Sequence, residues 1–288
     1  MVKLGDHRYG KAVVRAVRVG RGEGPDGGDL IRDWTVSSSL SGGIADCYLS
    51  GDNSNVLTTD AQKNTVYGFA QRLGDVEPEQ LGLVLARHYV ASQAPITRAR
   101  IEVLQHDWTR FGAHSFARSG QHTRSTVIVH DETEGTSVIG GVGDLTLLNT
   151  TDSEFWGFPR DKYTTLSDTR DRMLATQVDA TWRFRSTDVD WSGAFTRALA
   201  MLSAAFRDTY SYSLQQTLYA MGTAIIDGVP DICEVRLALP NKHHFLVDLA
   251  PFGQDNNNEV YYAADRPYGL IEDHVLADDA PDSGLAWT

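Results

Sequence analysis

Apolar and polar residues alternate along several short stretches of this chain, a pattern typical of β-strands with one buried face. In residues 98–104, the apolar side chains of Ala99, Ile101 and Val103 are separated by charged ones. Residues 178–185 alternate in the same way. Further strands are predicted at 11–19, 31–49, 125–130, 137–148, 232–239 and 243–249, with a Ser/Gly break at 37–43.

Apolar residues spaced three or four positions apart predict amphipathic helices in both halves of the chain. The first half has one predicted helix over residues 60–74 and a second that begins near Pro78, since proline suits the first turn of a helix. In the second half, the apolar residues from Phe195 to Phe206 mark one helix, and those from Leu218 to Ile225 mark another. The order of elements is therefore strands, helices and strands, repeated once.

This repeated order predicts an α+β fold made of two tandem halves, residues 1–122 and 123–288. Short links such as Glu134–Thr136 between predicted strands favour hairpins, so we expect antiparallel sheets with helices on one face. The triplet Thr-Thr-Asp follows an apolar run in each half, at 58–60 and at 150–152, which supports a duplication.

Composition narrows the class of protein. The 288 residues are 41% hydrophobic and 22% charged, as in ordinary globular proteins. No run approaches the roughly 18 apolar residues of a membrane-spanning helix, and the N-terminus lacks the apolar core of a secretory signal. With 26 Lys and Arg against 38 Asp and Glu, the net charge of −12 argues against a nucleic-acid partner. The acidic stretch from Asp273 onward is predicted to be a disordered tail.

The cysteines and histidines show no pattern of a metal site. Only two cysteines are present, which excludes a disulfide scaffold and favours a reducing cytoplasm. The histidines have no spacing typical of zinc ligands. His243 and His244 are adjacent in a predicted strand, so they point to opposite faces. If the alternation continues past Pro240, Asn241 and His243 lie on one face.

Several polar residues fit either a structural or a functional role. Thr59 and Gln62 have the spacing of a helix-capping box, but a helix N-terminus also offers free N–H groups to an anion. Thr151 and Ser213 each begin the same spacing. Lys11 is a solvated residue at the start of a strand or, if its surroundings are buried, a proton carrier.

Residues in the second half have similar alternatives. Phe155 lies in an aromatic cluster that suits core packing or stacking on a flat heterocycle. Arg170 and Arg172 are either surface arginines or forks for a planar, delocalised anion. Gln215, in the first turn of a predicted helix, is an exposed residue or an amide that reads a purine-like edge. These residues alone leave both alternatives open.

Six ordered segments of the chain resemble the urate oxidase (uricase) family. They are YGKAVVRAVRV (9–19), NVLTTDAQKNTVY (55–67), HSFAR (114–118), TTDSEFWGFPRDKYTTL (150–166), SLQQTLYAMG (213–222) and LPNKHHFLVDL (239–249). The resemblance implies the tunnelling fold (T-fold), in which tandem halves with antiparallel sheets and helices on one face assemble into a β-barrel across subunits. It extends over nearly the whole chain.

The resemblance implies an oxidoreductase that uses no cofactor and no metal. Such an enzyme oxidises urate with dioxygen and water to 5-hydroxyisourate and hydrogen peroxide in purine degradation. The family's active sites lie at subunit interfaces of a homotetramer. The expected partners are therefore urate, dioxygen and further copies of the chain, with no nucleic acid and no membrane.

The same resemblance implies roles for particular residues. Phe155 matches the ring that stacks on urate, Arg172 the guanidinium that pairs with it, and Gln215 the amide that reads its opposite edge. Leu214 matches a position that contributes mainly backbone, and it is bulkier than the valine expected there.

A proton relay is implied in the same way. Lys11, Thr59 and His243 match its members, and Asn241 and Thr59 match the groups that hold dioxygen or water over the ring. Asp60 would add a backbone contact. Lys11, Thr59 and Asp60 are expected to come from the neighbouring subunit.

The chain departs from the family at its end, and two other classes of protein are possible. Many relatives end in Ser-Lys-Leu, a peroxisomal signal, whereas this chain ends in Ala286-Trp287-Thr288, so a cytoplasmic enzyme is expected. One alternative is a zinc-dependent T-fold enzyme that acts on a purine or pterin. The other is a non-catalytic protein, either a purine-binding module or a scaffold.

Overall fold

A computed structural model describes residues 1–288, apart from the side chain of Asp265, and the described residues form ten β-strands and five α-helices. The strands are β1 (Tyr9–Gly20), β2 (Leu30–Gly42), β3 (Ile96–Gln105), β4 (Trp108–Arg110), β5 (Phe116–Arg118), β6 (Thr123–Asp131), β7 (Gly135–Asn149), β8 (Leu174–Phe184), β9 (Ile232–Leu246) and β10 (Tyr261–Leu276). The helices are α1 (Ala45–Leu49), α2 (Thr59–Leu73), α3 (Pro78–Ser92), α4 (Trp191–Asp208) and α5 (Leu214–Gly228). The predicted order of strands, two long helices and strands is confirmed in both halves.

The chain forms two compact units. Unit 1 comprises Met1–Gly141, Trp182–Phe195 and Pro281–Thr288. Unit 2 comprises Val142–Thr181 and Thr196–Ala280. The division predicted after residue 122 stays a prediction.

Unit 1 is built on antiparallel strands, as predicted. β1, β2, β3 and β6 are neighbours in that order, and the first part of β7 follows β6. Helix α2 packs against β1, and α3 packs against β3 and β6. The apolar faces of α3 and β3 are buried together, since the residues that define them have almost no exposed surface: Leu81, Leu85, Tyr89, Ala99, Ile101 and Val103.

The predicted Ser/Gly break at residues 37–43 is wrong, because β2 continues without interruption to Gly42. The serine hydroxyls of this stretch bond to neighbouring elements instead of forming a turn. Ser37 Oγ accepts a hydrogen bond from the N–H of Val13 (3.0 Å). The buried Ser38 hydroxyl donates to Gln62 Oε1 in α2 (2.7 Å). Tertiary hydrogen bonds thus make a polar stretch compatible with a central strand.

Unit 2 contains the second part of β7, followed by β8 as far as Thr181 and then by β9 and β10 as neighbours. Strands β9 and β10 are antiparallel. Helix α5 packs against both of them. A Cβ atom at Gly222 in α5 would lie 2.6 Å from Cγ2 of Val275, so glycine is required for the helix to approach β10 this closely.

Two predictions about the end of the chain are wrong. The predicted strands 232–239 and 243–249 are one strand, β9, which runs through Pro240, and its neighbour β10 was not predicted. The stretch from Asp273 is not a disordered tail. Its first residues belong to β10, and in unit 1 the Arg183 guanidinium donates to the Pro281 carbonyl (2.7 Å). Burial of Ala286 also holds this segment in place, because its methyl group has almost no exposed surface.

Candidate active site

Backbone hydrogen bonds in unit 2 bring three chain segments together. The segment 152–155 exchanges hydrogen bonds with Thr169 on one side (both 3.0 Å) and with Ser211 on the other (2.7 and 2.9 Å). Arg172 lies three residues after Thr169, and Leu214 lies three residues after Ser211. These bonds therefore place Phe155, Arg172 and the start of α5 on adjoining segments, although they are far apart in sequence.

The Phe155 ring is half-buried and is held by two neighbours. Phe158 stacks on it, with ring centroids 5.1 Å apart and an angle of 14° between the planes. The Arg172 guanidinium carbon lies 5.2 Å from the Phe155 ring centroid. The ring and the guanidinium that were predicted to bind a flat anion are thus side by side.

Arg172 is oriented by Ser153 rather than by a carboxylate. Its backbone N–H donates to the Ser153 carbonyl (2.9 Å), and its Nε donates to Ser153 Oγ (3.2 Å). No carboxylate of the described residues forms an ion pair with Arg172. Burial lowers the pKa of Arg172 from its usual value. Because only Nε is engaged, both terminal nitrogens of the guanidinium are available to a ligand.

The first turn of α5 carries Leu214 and Gln215. Ser213 is the N-cap, as its capping pattern predicted, and its hydroxyl accepts from the N–H of Gln216 (3.2 Å). The Leu214 side chain is buried, which agrees with a mainly backbone role, whereas Gln215 is exposed. First-turn N–H groups have no partner within the helix, so this turn presents backbone donors beside the Gln215 amide.

Asn241 and His243 lie on the same face of β9, because that strand continues unbroken past Pro240. Thr176 Oγ1 in β8 donates to the Pro240 carbonyl (2.9 Å), which fixes this part of β9 next to the start of β8. The pKa of His243 is lowered, first by burial and then by the positive charges of Arg172 and His244. His243 is thus close enough to Arg172 to respond to its charge and is neutral at pH 7.

Lys11 lies in β1 of unit 1, where β1 approaches β2 closely. A Cβ at the preceding Gly10 would lie 1.7 Å from the Ser38 carbonyl oxygen, so only glycine permits this approach. Lys11 pairs with Ser38, and a β-bulge follows at Val13, whose φ is 58°. The Lys11 side chain is half-buried, and no carboxylate of the described residues pairs with it.

Thr59 and Asp60 form the first turn of α2, close to Lys11. The positive charge of Lys11 contributes to the lowered pKa of Asp60, although the hydrogen bond from Lys63 is the larger cause. The prediction that Thr59 caps α2 is wrong. Thr58 is the N-cap, and its hydroxyl accepts from the N–H of Ala61 (3.1 Å). The Thr59 hydroxyl is therefore left for another role.

Two other capping assignments come out differently. Thr151 begins no helix, and its hydroxyl donates to Asp171 (2.8 Å). Gln62 does not accept from an N-cap N–H as in a capping box, because its buried side chain accepts from Ser38 and donates to the Leu57 carbonyl (3.3 Å). The spacing of a capping box is therefore not enough to tell which of Thr59, Thr151 and Ser213 caps a helix.

Apart from Arg172, the polar side chains predicted to act on a ligand share one property. Within the described part of the chain, the structure gives none of them a side-chain hydrogen-bond partner: Lys11, Thr59, Gln215, Asn241 and His243. Their donors and acceptors are thus available. The residues fall into two groups. Lys11, Thr59 and Asp60 are in unit 1, and the other predicted residues are in unit 2.

Sequence reasoning missed the residues that support these groups. Ser153 orients Arg172, Ser38 joins β2 to α2, and the Glu154 carboxylate bonds to Trp156 and Tyr210. None of them has a distinctive motif, because their roles depend on contacts between distant segments. The one signal in the sequence for Ser153 and Glu154 is that they lie just before Phe155, a predicted site residue.

The structure also bears on metal binding and on membrane insertion. Among the described residues, no group of three or more His, Cys, Asp or Glu side chains is arranged to hold a metal ion. In the same part of the chain, no helix has both the length and the apolar character needed to cross a bilayer.

The repeated order of two strands, two long helices and two strands, with antiparallel pairing, defines a tandem T-fold protein. The sequence model of one family, Uricase, matches the chain twice, over residues 7–139 and 138–272. The chain belongs to the uricase family. The double match also confirms the expected duplication.

Individual relatives agree with this assignment. Uricase from Arthrobacter globiformis is 46% identical over 273 residues, which cover 94% of this chain and 89% of that protein. Uricase from Aspergillus flavus is 34% identical, covering 92% and 94% of the two chains. The crystal structure of the Arthrobacter globiformis uricase is similar with a TM-score of 0.95 and 44% identity, covering 100% of this chain and 99% of that one.

Proposed function

We propose that this protein is a urate oxidase that uses no metal or organic cofactor. It converts urate, dioxygen and water to 5-hydroxyisourate and hydrogen peroxide. The observation that carries the proposal is the state of Arg172. This half-buried guanidinium lies beside the Phe155 ring, is held through Nε by Ser153, and has no carboxylate partner among the described residues. A flat anion of delocalised charge is the ligand that such a fork suits.

Binding fixes the orientation of urate. Phe155 stacks on the purine plane, Arg172 pairs with one edge, and the Gln215 amide reads the opposite edge. Leu214 and Asp60 add contacts from their backbones. A ligand held between an arginine and an amide keeps a single orientation in the plane, which places the reacting carbon under the oxygen site near Asn241 and Thr59.

Proton transfer makes urate more easily oxidised. Lys11, Thr59 and His243 form a relay that removes a further proton from the urate anion. Because its pKa is lowered, His243 is neutral at physiological pH and can accept that proton. The Thr59 hydroxyl can both donate and accept, so it suits the middle of the relay.

The redox step then needs only urate and dioxygen. The electron-rich dianion gives two electrons to dioxygen, which leaves as hydrogen peroxide after taking up two protons. Water adds to the oxidised ring and supplies the hydroxyl oxygen of 5-hydroxyisourate. Atoms and electrons balance because urate gains one oxygen from water and dioxygen gains two hydrogens.

The complete site requires two copies of the chain. In the proposal, the unit 1 group of one protomer joins the unit 2 group of a neighbour, within a homotetramer whose sheets form a barrel. Apolar side chains exposed on β1 and β10 support such an assembly: Val13, Val17, Val19, Tyr262, Tyr268 and Leu270. Sedimentation equilibrium measures the mass of the assembly directly.

We place the enzyme in the cytoplasm. Among the described residues, Cys47 and Cys233 form no disulfide, which suits a reducing compartment. Fractionation of the source cells, followed by an assay of urate oxidation in each fraction, tests this location.

The decisive experiment uses purified protein treated with a chelator. Urate is added in air, and its absorbance and the peroxide formed are followed together. We expect urate to disappear and peroxide to accumulate in equal amounts. Urate that stays intact with protein shown to be folded would overturn the proposed function.

The relay is tested by Lys11→Met. Removing a positioned proton-transfer group lowers kcat by about 10²-fold or more, while the affinity for urate measured without oxygen changes little. Lys3→Met, at an exposed lysine of the same unit, is the matched control and should keep full activity. An unchanged kcat in Lys11→Met would remove Lys11 from the relay.

A further inference from the structure

The Glu154 carboxylate lies at the centre of a polar cluster next to Phe155. Its Oε1 accepts from the Tyr210 hydroxyl (2.6 Å), and its Oε2 accepts from Trp156 Nε1 (2.5 Å). Oε2 also lies 3.5 Å from Arg170 Nη1. Only 14% of the Glu154 side chain is exposed. Both carboxylate oxygens therefore have partners, which cover most of the Glu154 side chain, whereas Trp156, Arg170 and Tyr210 are themselves exposed.

This cluster joins the segments that carry the urate-binding residues. Trp156 follows Phe155, Arg170 precedes Arg172 by two residues, and Tyr210 precedes Leu214 by four. One carboxylate thus connects three segments through their side chains, in addition to the backbone bonds at Thr169 and Ser211. A shift of any segment would break a bond to Glu154.

Glu154 also balances the positive charge of only one of two neighbouring arginines. Arg170 stacks on Trp156, with its guanidinium carbon 3.6 Å from the ring centroid, and it pairs with Glu154. Arg172 has no such carboxylate partner in the described chain. The pKa of Glu154 is lowered, first by the hydrogen bond from Tyr210, so the carboxylate is charged at neutral pH. Arg170 is thereby neutralised, and Arg172 remains the guanidinium that is open to an anion.

We propose that Glu154 is a positioning residue for urate binding, which holds Phe155, Arg172 and the start of α5 in register and keeps Arg170 away from the ligand. The proposal rests on the proposed function, since urate is its ligand. Glu154 itself does not touch urate and takes no part in proton transfer.

The test is Glu154→Gln, which keeps the shape of the side chain but removes its charge. The amide places N–H donors where Trp156 and Arg170 also donate, so one side of the cluster loses its acceptor. We expect the Kd for urate measured without oxygen, and the KM in air, to rise by about tenfold. The value of kcat should change by less than about twofold, because the relay residues are untouched.

Matched variants separate positioning from a general loss of structure. Glu259→Gln makes the same change at an exposed carboxylate of unit 2 and should keep the wild-type Kd. Glu154→Asp keeps the charge and should recover part of the affinity. Tyr210→Phe removes one donor and should weaken binding less than Glu154→Gln does. In a cycle of Glu154→Gln with Trp156→Phe, the double variant should bind like Glu154→Gln alone, because both changes break the hydrogen bond from Trp156 Nε1 to residue 154.

The outcomes distinguish the two proposals. Wild-type protein that binds urate without oxygen but does not oxidise it would overturn the proposed function. The positioning role would still be tested in that case, by comparing the Kd for urate of the wild type and of Glu154→Gln. Wild-type affinity in Glu154→Gln would overturn the positioning role. Additive losses in the double variant would do the same, and a wild-type protein that binds no urate would overturn both proposals.

Discussion

At the scale of single residues, the structure distinguishes side chains that are equivalent in sequence. Arg170 and Arg172 both lie in one polar stretch, and the sequence pattern gives both the same two possible roles. In the structure Arg170 stacks on Trp156 and pairs with Glu154, whereas Arg172 is held by a neutral serine hydroxyl. A guanidinium whose charge is not already neutralised binds an anionic ligand more strongly. We therefore propose that binding depends on Arg172.

The titration of His243 provides a prediction at this scale. Burial and the positive charge of Arg172 both disfavour the imidazolium, so the pKa of His243 is below its usual value. In Arg172→Gln the charge is lost and the burial stays. The pKa of His243 should therefore rise, and the imidazole should become protonated at a higher pH than in the wild type. NMR titration of the imidazole, assigned with His243→Gln, measures the shift.

Arg170→Gln is the matched control for that titration. It removes the same charge two residues away, where Glu154 already neutralises it. The pKa of His243 should stay at its wild-type value in this variant. Equal shifts in both variants would show that Arg172 has no particular influence on His243.

At the scale of elements, the start of helix α2 shows that two adjacent residues of the same type can have different roles. Two threonines follow one another where the helix begins, and by its spacing to Gln62 only Thr59 fits a capping box. The structure assigns the cap to Thr58, whose backbone is extended with φ −59° and ψ 145°. Thr59 is already inside the first turn of the helix. Its hydroxyl does not cap the helix and is available to the proposed relay.

The roles of Thr58 and Thr59 can be distinguished by experiment. Thr58→Ala removes the hydrogen bond to the Ala61 N–H, so the free energy of unfolding should fall by about 1 kcal/mol. Thr59→Ala should leave stability nearly unchanged and lower kcat by about 10²-fold. Urea unfolding at matched protein concentration and steady-state kinetics measure the two effects. A stability loss in Thr59→Ala equal to that in Thr58→Ala would return the cap to Thr59.

At the scale of the whole molecule, the two groups of site residues belong to different compact units. The proposed site joins the unit 1 group of one protomer to the unit 2 group of another. Such sharing makes a closed, symmetric assembly necessary for activity, because each interface completes sites for both partners. This arrangement has a direct consequence for mixtures of inactive chains.

Co-expression of Lys11→Met and Arg172→Ala chains with two different tags tests shared sites. Each variant alone has a defect in every site. A mixed pair has one site with both defects and one with none, so random pairing should recover about a quarter of wild-type activity. Steady-state turnover of the whole co-expressed mixture measures the recovery, and the two tags confirm that mixed assemblies form.

The control for the mixing experiment places both substitutions in the same chain. A chain with both substitutions, paired with wild type, has one defect in each shared site and should form no active site in mixed pairs. With shared sites, only pairs of two wild-type chains are active, so this mixture keeps about a quarter of wild-type activity. If each site is instead built from a single chain, the first mixture has no active site and the second keeps about half. Inactivity of the first mixture together with about half of wild-type activity from the second would therefore overturn the shared site.

Local patterns in the sequence determined the kinds of element and their order. The alternation in β3 and β8 and the apolar spacing in α2, α3, α4 and α5 come from burial of one face, which is written into residue order. Antiparallel pairing followed from short links such as that between β6 and β7. The site residues in both units could be named because the resemblance to a family matches whole segments.

Only the tertiary structure decided the features that depend on contacts between distant segments. Strand β10 has Pro267 and Gly269 within it and little alternation, so its pairing with β9 defines it as a strand. The choice of Thr58 as cap and the open guanidinium of Arg172 likewise depend on backbone geometry and on neighbours remote in sequence. A hydrogen bond or ion pair between such residues leaves no periodic trace along the chain, and this is why sequence patterns did not show it.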